Sequence, residues 1–251
     1  MSVLSAIRIL PLPGLPEIAP GDDIGCFIAD AARKEAHIEA GDVFVVAQKV
    51  VSKAEGRIVP LETVHPSERA IQWAATHHKD ARVIELVLRE AARIVKMERG
   101  VIVAETRHGF VCANAGVDCS NTATGTATLL PEDPDRSAHE LRERLGEKFG
   151  VPVAVIISDS FGRPWREGIV NVALGVAGIS PMIDYRGKRD ANGNTLQMTV
   201  VARADELASA AELVMGKADR VPVALIQGVA TKEHSGSGRD LIRPVKNDLF
   251  R

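Results

Sequence analysis

Aromatic side chains are scarce in this chain: two Trp, one Tyr and six Phe, 4% of 251 residues. That scarcity excludes the stacking platforms that hold single-stranded nucleic acid. Nor is there an excess of positive charge. Lys and Arg number 31 against 33 Asp and Glu, a formal net charge of -2, so the basic face of a phosphate-backbone binder is missing and no nucleic-acid partner is expected. Cysteine is sparse too. Cys26, Cys112 and Cys119 form an odd set without C-x-x-C spacing, which excludes a zinc ribbon and a disulfide framework and leaves reduced thiols in a cytoplasmic protein as the expectation. Met1 to Leu10 lacks the apolar core of a secretory signal, and no apolar run nears the roughly 20 residues of a membrane span. No membrane partner is expected.

The common nucleotide and metal signatures are also missing: G-x-x-x-x-G-K-S/T, G-x-G-x-x-G after a strand, and H-E-x-x-H. The seven histidines are scattered along the chain. Any phosphate chemistry must therefore be local and must use something other than a P-loop.

What is present is an ordinary globular composition, 45% apolar and 25% charged. Ile24 to Glu35 repeats apolar residues at helical spacing after Asp22 and Asp23, and Val43 to Ala47 reads as a strand buried on both faces. Pro66-Ser67-Glu68 opens a helix reaching about His77, and Asp80 to Lys96 reads as one long amphipathic helix. Val101 to Ala104 and Phe110 to Ala113 are strand-like. Asp135, as cap, opens a helix that runs to Phe149, and Val153 to Ile157 is the most strongly apolar strand. Val170 to Val176 is another strand candidate, Arg203 to Met215 an Ala-rich helix and Val223 to Ile226 a last buried strand. His234 to Gly238 looks flexible. Helices alternate with buried strands, so the class is α/β. A single domain spanning 1–251 is expected, with two lobes as a variant of that reading.

Three segments carry candidate chemistry. The strand Val153 to Ile157 leads into Ser158-Asp159-Ser160-Phe161-Gly162-Arg163-Pro164-Trp165-Arg166, read as a carboxylate and a hydroxyl at a strand end before a Gly/Pro turn. Open α/β sheets bind ligands at such ends, hard oxygens suit Mg or Mn, and guanidinium forks suit phosphate or carboxylate. The plainer alternative is that Asp159 caps a turn. Cys112 to Asn121 is a small-residue loop displaying Asp118, where Asn and Asp are more commonly simple turn formers. Two such acidic loops, converging, could hold a metal pair on a triphosphate. Directly after Val43 to Ala47 come Lys49 and Lys53, four apart, able to reach one anion if the segment is helical; an exposed basic face is the alternative.

In order, these segments closely resemble the coenzyme F420-0:L-glutamate ligase family, which adds glutamate to the precursor of the deazaflavin coenzyme F420. The match runs through Leu15-Pro16-Glu17-Ile18 with Gly21-Asp22-Asp23, then Gly41-Asp42 to Arg57, Pro66-Ser67-Glu68-Arg69-Ala70, and Asn114-Ala115-Gly116-Val117-Asp118 with Ser120-Asn121. It continues through Leu129-Leu130-Pro131 with Asp133-Pro134-Asp135 and Ser137-Ala138, Ile156 to Ser160 with Gly162-Arg163, Ala204 to Ala208, and Leu213-Val214-Met215-Gly216. The resemblance implies an α/β fold of mixed sheet layers with flanking helices, neither P-loop nor Rossmann, in an intertwined homodimer. A C-terminal nitroreductase-like domain, present in some relatives, is not expected here.

It further implies GTP as co-substrate, two divalent ions (Mg or Mn), K as a helper, and L-glutamate and F420-0 as substrates. The family's GTP contacts fall on Leu15, Pro16, Glu17, Ile18, Gln48, Lys49, Lys53, Asn121, Met215 and Gly216, and its metal ligands on Asp118, Asp159 and Ser160. Lys217 stands where a family member can carry an acidic metal ligand, so that ligand is not carried over. Lys53 would neutralise phosphate charge, Asp159 would act through metal, and Arg163 or Arg166 would orient an anionic substrate group. The expected reaction phosphorylates a carboxylate and then displaces the phosphate with the glutamate amine, once or repeatedly. A metal-dependent nucleotide hydrolase and a non-catalytic GTP-binding protein are the alternatives.

Overall fold

A computed structural model describes residues 6–229 and 236–248. Strand β1 is Arg8–Pro11. Helix α1, Ile24–Glu35, starts at Asp23, whose carboxylate accepts from the Cys26 N–H. Strand β2, Val43–Ala47, runs straight into helix α2, Gln48–Ala54. Strand β3, Ile58–Pro60, precedes α3, Glu68–His77, capped by Ser67, and α4, Ala81–Glu90, capped by Asp80. Strands β4, Ala91–Glu98, β5, Val101–Thr106, β6, Val111–Ala113, and β7, Thr126–Thr128, follow. Then come α5, Pro134–Phe149, β8, Ala154–Arg163, β9, Arg166–Ala177, the short β10, Ile183–Asp184, and β11, Val200–Val201. Helix α6, Arg203–Met215, leads to β12, Val223–Gln227.

The main sheet has the order β1-β12-β2-β8-β9. Only β2 and β8 run parallel in it, and the other neighbours are antiparallel. This mixed order differs from the doubly wound parallel sheet of a Rossmann fold. Both faces are covered, which explains the unbroken apolar runs of β2, β8 and β12. Phe44, Val46, Val155 and Ile157 pack against Ile28 of α1 and Leu145 of α5 on one face. Val45, Ile156 and Ile226 meet Ala204, Ala208 and Ala211 of α6 on the other. A separate core of Leu61, Ala74, Ile84, Val87, Ile102 and Leu129 joins α3 and α4 to the sheet β4-β5-β6 and to β7.

Three expectations from the sequence need correction. The segment Asp80 to Lys96 is not one helix: α4 stops at Glu90, and Ala91–Glu98 pairs antiparallel with β5. The cause is the tight turn at Arg99 and Gly100, both at positive φ (53° and 76°), the two-residue geometry that matches strand twist and folds a hairpin. The cap of α5 is Asp133, which accepts from the Arg136 N–H, with Pro134 in the first turn. Asp135 instead accepts from the backbone N–H groups of Val176 and Gly238 and from the Ser237 hydroxyl. The strand expected to end at Ile157 continues to Arg163, so Ser158, Asp159 and Ser160 lie within β8, paired with β9 rather than in a Gly/Pro turn. Of the segment expected to be flexible, His234 and Ser235 lie outside the described residues. Ser237 caps a short 3-10 turn reciprocally with Asp240.

Candidate active site

The parallel ladder between β2 and β8 ends at the pair Ala47 and Ser158. Beyond that edge the chain carries Gln48 and Lys49 into α2 on one side and Asp159 onward on the other. Asp118 comes from the chain around the separate core, where it bridges to Thr128 in an isolated antiparallel pair. The three segments picked out in the sequence therefore meet at the carboxyl end of β2, where its parallel pairing with β8 stops and β8 runs on beside β9, close to the usual location for ligands in open sheets.

Lys49 Nζ donates to Asp118 Oδ2 at 2.7 Å and to the carbonyl and hydroxyl oxygens of Ser120 at 2.5 and 3.0 Å. The Ser120 N–H also donates to Asp118 Oδ1 at 2.7 Å. Burial alone would push the Asp118 carboxyl up, but Lys49 and the two Ser120 donors outweigh it and hold the carboxyl below its ordinary value. Asp159 is different. Burial, reinforced by the negative charge of Asp118, pushes its carboxyl up to about 6, against the pull of the Ser160 N–H, Lys49 and Lys217. Cys112 lies close enough to feel Asp159, and burial with that charge pushes its thiol up to about 12. Such a thiol is not a nucleophile at neutral pH.

Successive strand residues face opposite ways, and β8 uses both sides. Ser160 Oγ donates to Asn171 Oδ1 of β9 at 2.8 Å, and Lys217 Nζ donates to Ser160 Oγ at 2.5 Å. Lys217 follows Gly216, whose φ of 60° and ψ of -169° suit glycine alone. A Cβ there would also strike the Asp219 carboxylate.

The other expected residues are distributed around this edge. Leu15 and Ile18 anchor their segment in the core, and Glu17 pairs with Lys53 of α2. Gln48 is buried and accepts from the Ser52 hydroxyl at 2.8 Å. Asn121 is exposed at positive φ, and Met215 is buried at the end of α6. Arg163 stays apart: it lies four residues along β8 from Asp159, about 13 Å at strand spacing, and donates to the Glu167 carbonyl within its own hairpin. Arg166 is exposed beside that turn. Ser120 supplies the hydroxyl of the Cys112 to Asn121 loop, and two contributors were not expected from the sequence as site residues: Asn171 and Glu212. A buried Asn in the apolar run of β9 was the readable signal for one of them.

The donor set fits a divalent cation at Asp118 and Asp159: two hard carboxylates, near enough for one to raise the other's pKa, gain most from a cation between them. Among the described residues no group of three or more His, Cys, Asp or Glu gathers as a metal site. Ligands beyond the two carboxylates would come from nucleotide phosphates and water, as is usual for Mg. Ser160 fits less well, because its hydroxyl already accepts a hydrogen bond from the Lys217 ammonium.

A family model described as F420-0:Gamma-glutamyl ligase matches residues 14–228. The chain belongs to that family. It is 47% identical to the coenzyme F420:L-glutamate ligase of Methanopyrus kandleri over the full length of both chains. It is also 47% identical to the enzyme of that name from Methanothermobacter thermautotrophicus, covering 98% of this chain and 99% of the relative. The same identity holds for the Methanocaldococcus jannaschii protein over 85% and 86% of the two chains. The matched residues of the F420-0:gamma-glutamyl ligase family include every element of the edge described above, from Leu15 to Lys217.

Proposed function

We propose that this chain is a GTP-dependent ligase joining L-glutamate by an amide bond to the carboxylate of F420-0, with GDP and phosphate released. The observation that carries the reading is the meeting of Lys49, Asp118 and Asp159 where the parallel pairing of β2 with β8 stops, in a member of a gamma-glutamyl ligase family. Relatives with near-complete coverage bear the name F420:L-glutamate ligase, which supports the same acceptor and amino acid.

A free carboxylate is a poor electrophile, so the chemistry divides in two. The carboxylate oxygen of F420-0 attacks the terminal phosphorus of GTP, the bond to the bridging oxygen breaks, and GDP leaves. The glutamate amine then attacks the resulting acyl phosphate, phosphate departs, and a proton leaves the nitrogen. In the first step the protein's work is positioning and charge neutralisation. Lys49 and Lys53 supply positive charge from one face of α2, and a phosphate can take the place of Glu17 on Lys53. Asp118 and Asp159 would hold Mg or Mn, which supplies charge neutralisation on the phosphates when bound. Gln48, Asn121 and the Leu15–Ile18 segment border the same edge and would receive the rest of the nucleotide. Water must be excluded to spare the acyl phosphate.

A homodimer belongs to this reading. Trp165 is 79% exposed at the tip of the β8–β9 hairpin and Ile169 is 56% exposed on its arm, an apolar projection that a second copy would cover. The test of the function is GDP release: it should require both F420-0 and L-glutamate, and Asp159→Asn should abolish it. GDP released equally well without an acceptor would mark a hydrolase instead.

A further inference from the structure

We propose that Lys217 is a positioning residue whose ammonium serves as a tethered monovalent cation in an oxygen cage on the α6 side of β8. An ammonium has three donors, and here each finds an oxygen from a different element. Lys217 Nζ lies 2.5 Å from Ser160 Oγ of β8, 3.2 Å from Asn171 Oδ1 of β9 and 2.7 Å from Glu212 Oε1 of α6. The oxygens are themselves linked: Ser160 Oγ donates to Asn171 Oδ1, and Asn171 Nδ2 donates to Glu212 Oε2, each at 2.8 Å. Asn171 is only 4% exposed, so the cage has a buried floor. Gly216, in its glycine-only conformation, turns the chain so that Lys217 folds back over that floor.

The cage holds one carboxylate and two neutral oxygens, a charge of about -1 that matches a single positive charge and not a divalent ion. With Lys217 in place the charge is balanced and Ser160 is fixed one residue from Asp159. Without the lysine, the same three oxygens would form a socket suited to potassium or ammonium, hard cations that take oxygen ligands. Lys217 thus does covalently what a free monovalent ion would have to do by binding.

The test compares Lys217→Ala with the unaltered protein in potassium, ammonium and choline chlorides at constant ionic strength. With no substrate present, the variant should melt about 3 to 6 °C higher in potassium or ammonium at ten times the dissociation constant than in choline. The unaltered protein should melt at the same temperature in all three salts. Adding Glu212→Gln to the variant should erase the response. Ligase turnover of Lys217→Ala in choline should fall about 10- to 100-fold, the scale of a lost supporting contact, and potassium should restore it. Melting of the variant that ignores the cation would overturn the proposal, as would failure to fold in every salt; folding regained in potassium alone would support it. The turnover arm rests on the proposed ligase activity, whereas the melting arm uses no substrate. A potassium-specific melting response without turnover in the unaltered protein would therefore sustain the cage and overturn only the ligase reading.

Discussion

Replacing Asp159 with Asn should make the metal-free protein more stable above pH 6 while removing its ligase turnover. The Asp159 carboxyl is pushed from 3.8 to about 6, chiefly by burial and with the Asp118 charge adding to it. A folded-state pKa above the unfolded one means that the native protein holds the proton more tightly between those two values. Stability therefore falls as pH rises from about 4 to 6 and stays low above that window. At about 1.36 kcal/mol for each tenfold gain in proton affinity, the ionised carboxylate costs the fold roughly 3 kcal/mol. Asn is close in shape, never charged, and retains an acceptor for the Ser160 N–H, so the gain at about pH 7.5 should be about 1 to 3 kcal/mol. For a chain of this size that is a rise in Tm of about 2 to 10 °C. Melting curves without metal or nucleotide at pH 4 and pH 7.5 read it directly: the gain should be present at pH 7.5 and vanish near pH 4. A variant melting no higher than the parent at pH 7.5 would refute the claim that Asp159 is held at a cost to the fold.

Two further outcomes follow from the same edge. Lys49→Met removes the ammonium that Asp118 and Ser120 share, so the Asp159 carboxyl should titrate above its present value of about 6; carbon NMR of the labelled carboxyl across pH checks it. Lys53→Ala should weaken GTP binding by about 1.5 to 3 kcal/mol, the scale of a charged hydrogen bond, which calorimetry measures as a dissociation constant raised roughly 10- to 150-fold.

Much of the fold was readable because burial on both faces leaves a plain mark. Val43–Ala47 and Arg203–Met215 have the bounds their apolar patterns indicated. The failure at Asp80 to Lys96 has a physical source: Ile94 and Met97 satisfy helical spacing as well as strand pairing, and the Arg99-Gly100 turn beyond them decides the matter. Likewise Asp133 and Asp135 both precede an amphipathic run, and Pro134, whose ring suits the first turn, selects Asp133 as the cap. At the candidate site, Lys49 follows the buried strand β2 almost directly, which places it at the sheet edge, whereas Asp159 lies within a strand longer than its apolar run suggested and Asp118 sits in the loop beyond β6. Glu212 left no such mark, since its part depends on how α6 packs around Lys217, whereas Asn171 stands out as a polar residue within the apolar run of β9. Arg163, grouped with Asp159 in the sequence, lies four residues further along the extended β8, in the hairpin with β9.

Whether this edge joins glutamate to a deazaflavin carboxylate at the expense of GTP is tested most directly by weighing the product. The protein is incubated with GTP, Mn or Mg, F420-0 and L-glutamate, and GDP release is followed while mass spectrometry reads the acceptor. The expected result is F420-0 heavier by a glutamate residue, with GDP appearing in step with each glutamate joined and only when both acceptor and amino acid are present. GDP released at the same rate without F420-0, with the acceptor recovered unchanged, would contradict it.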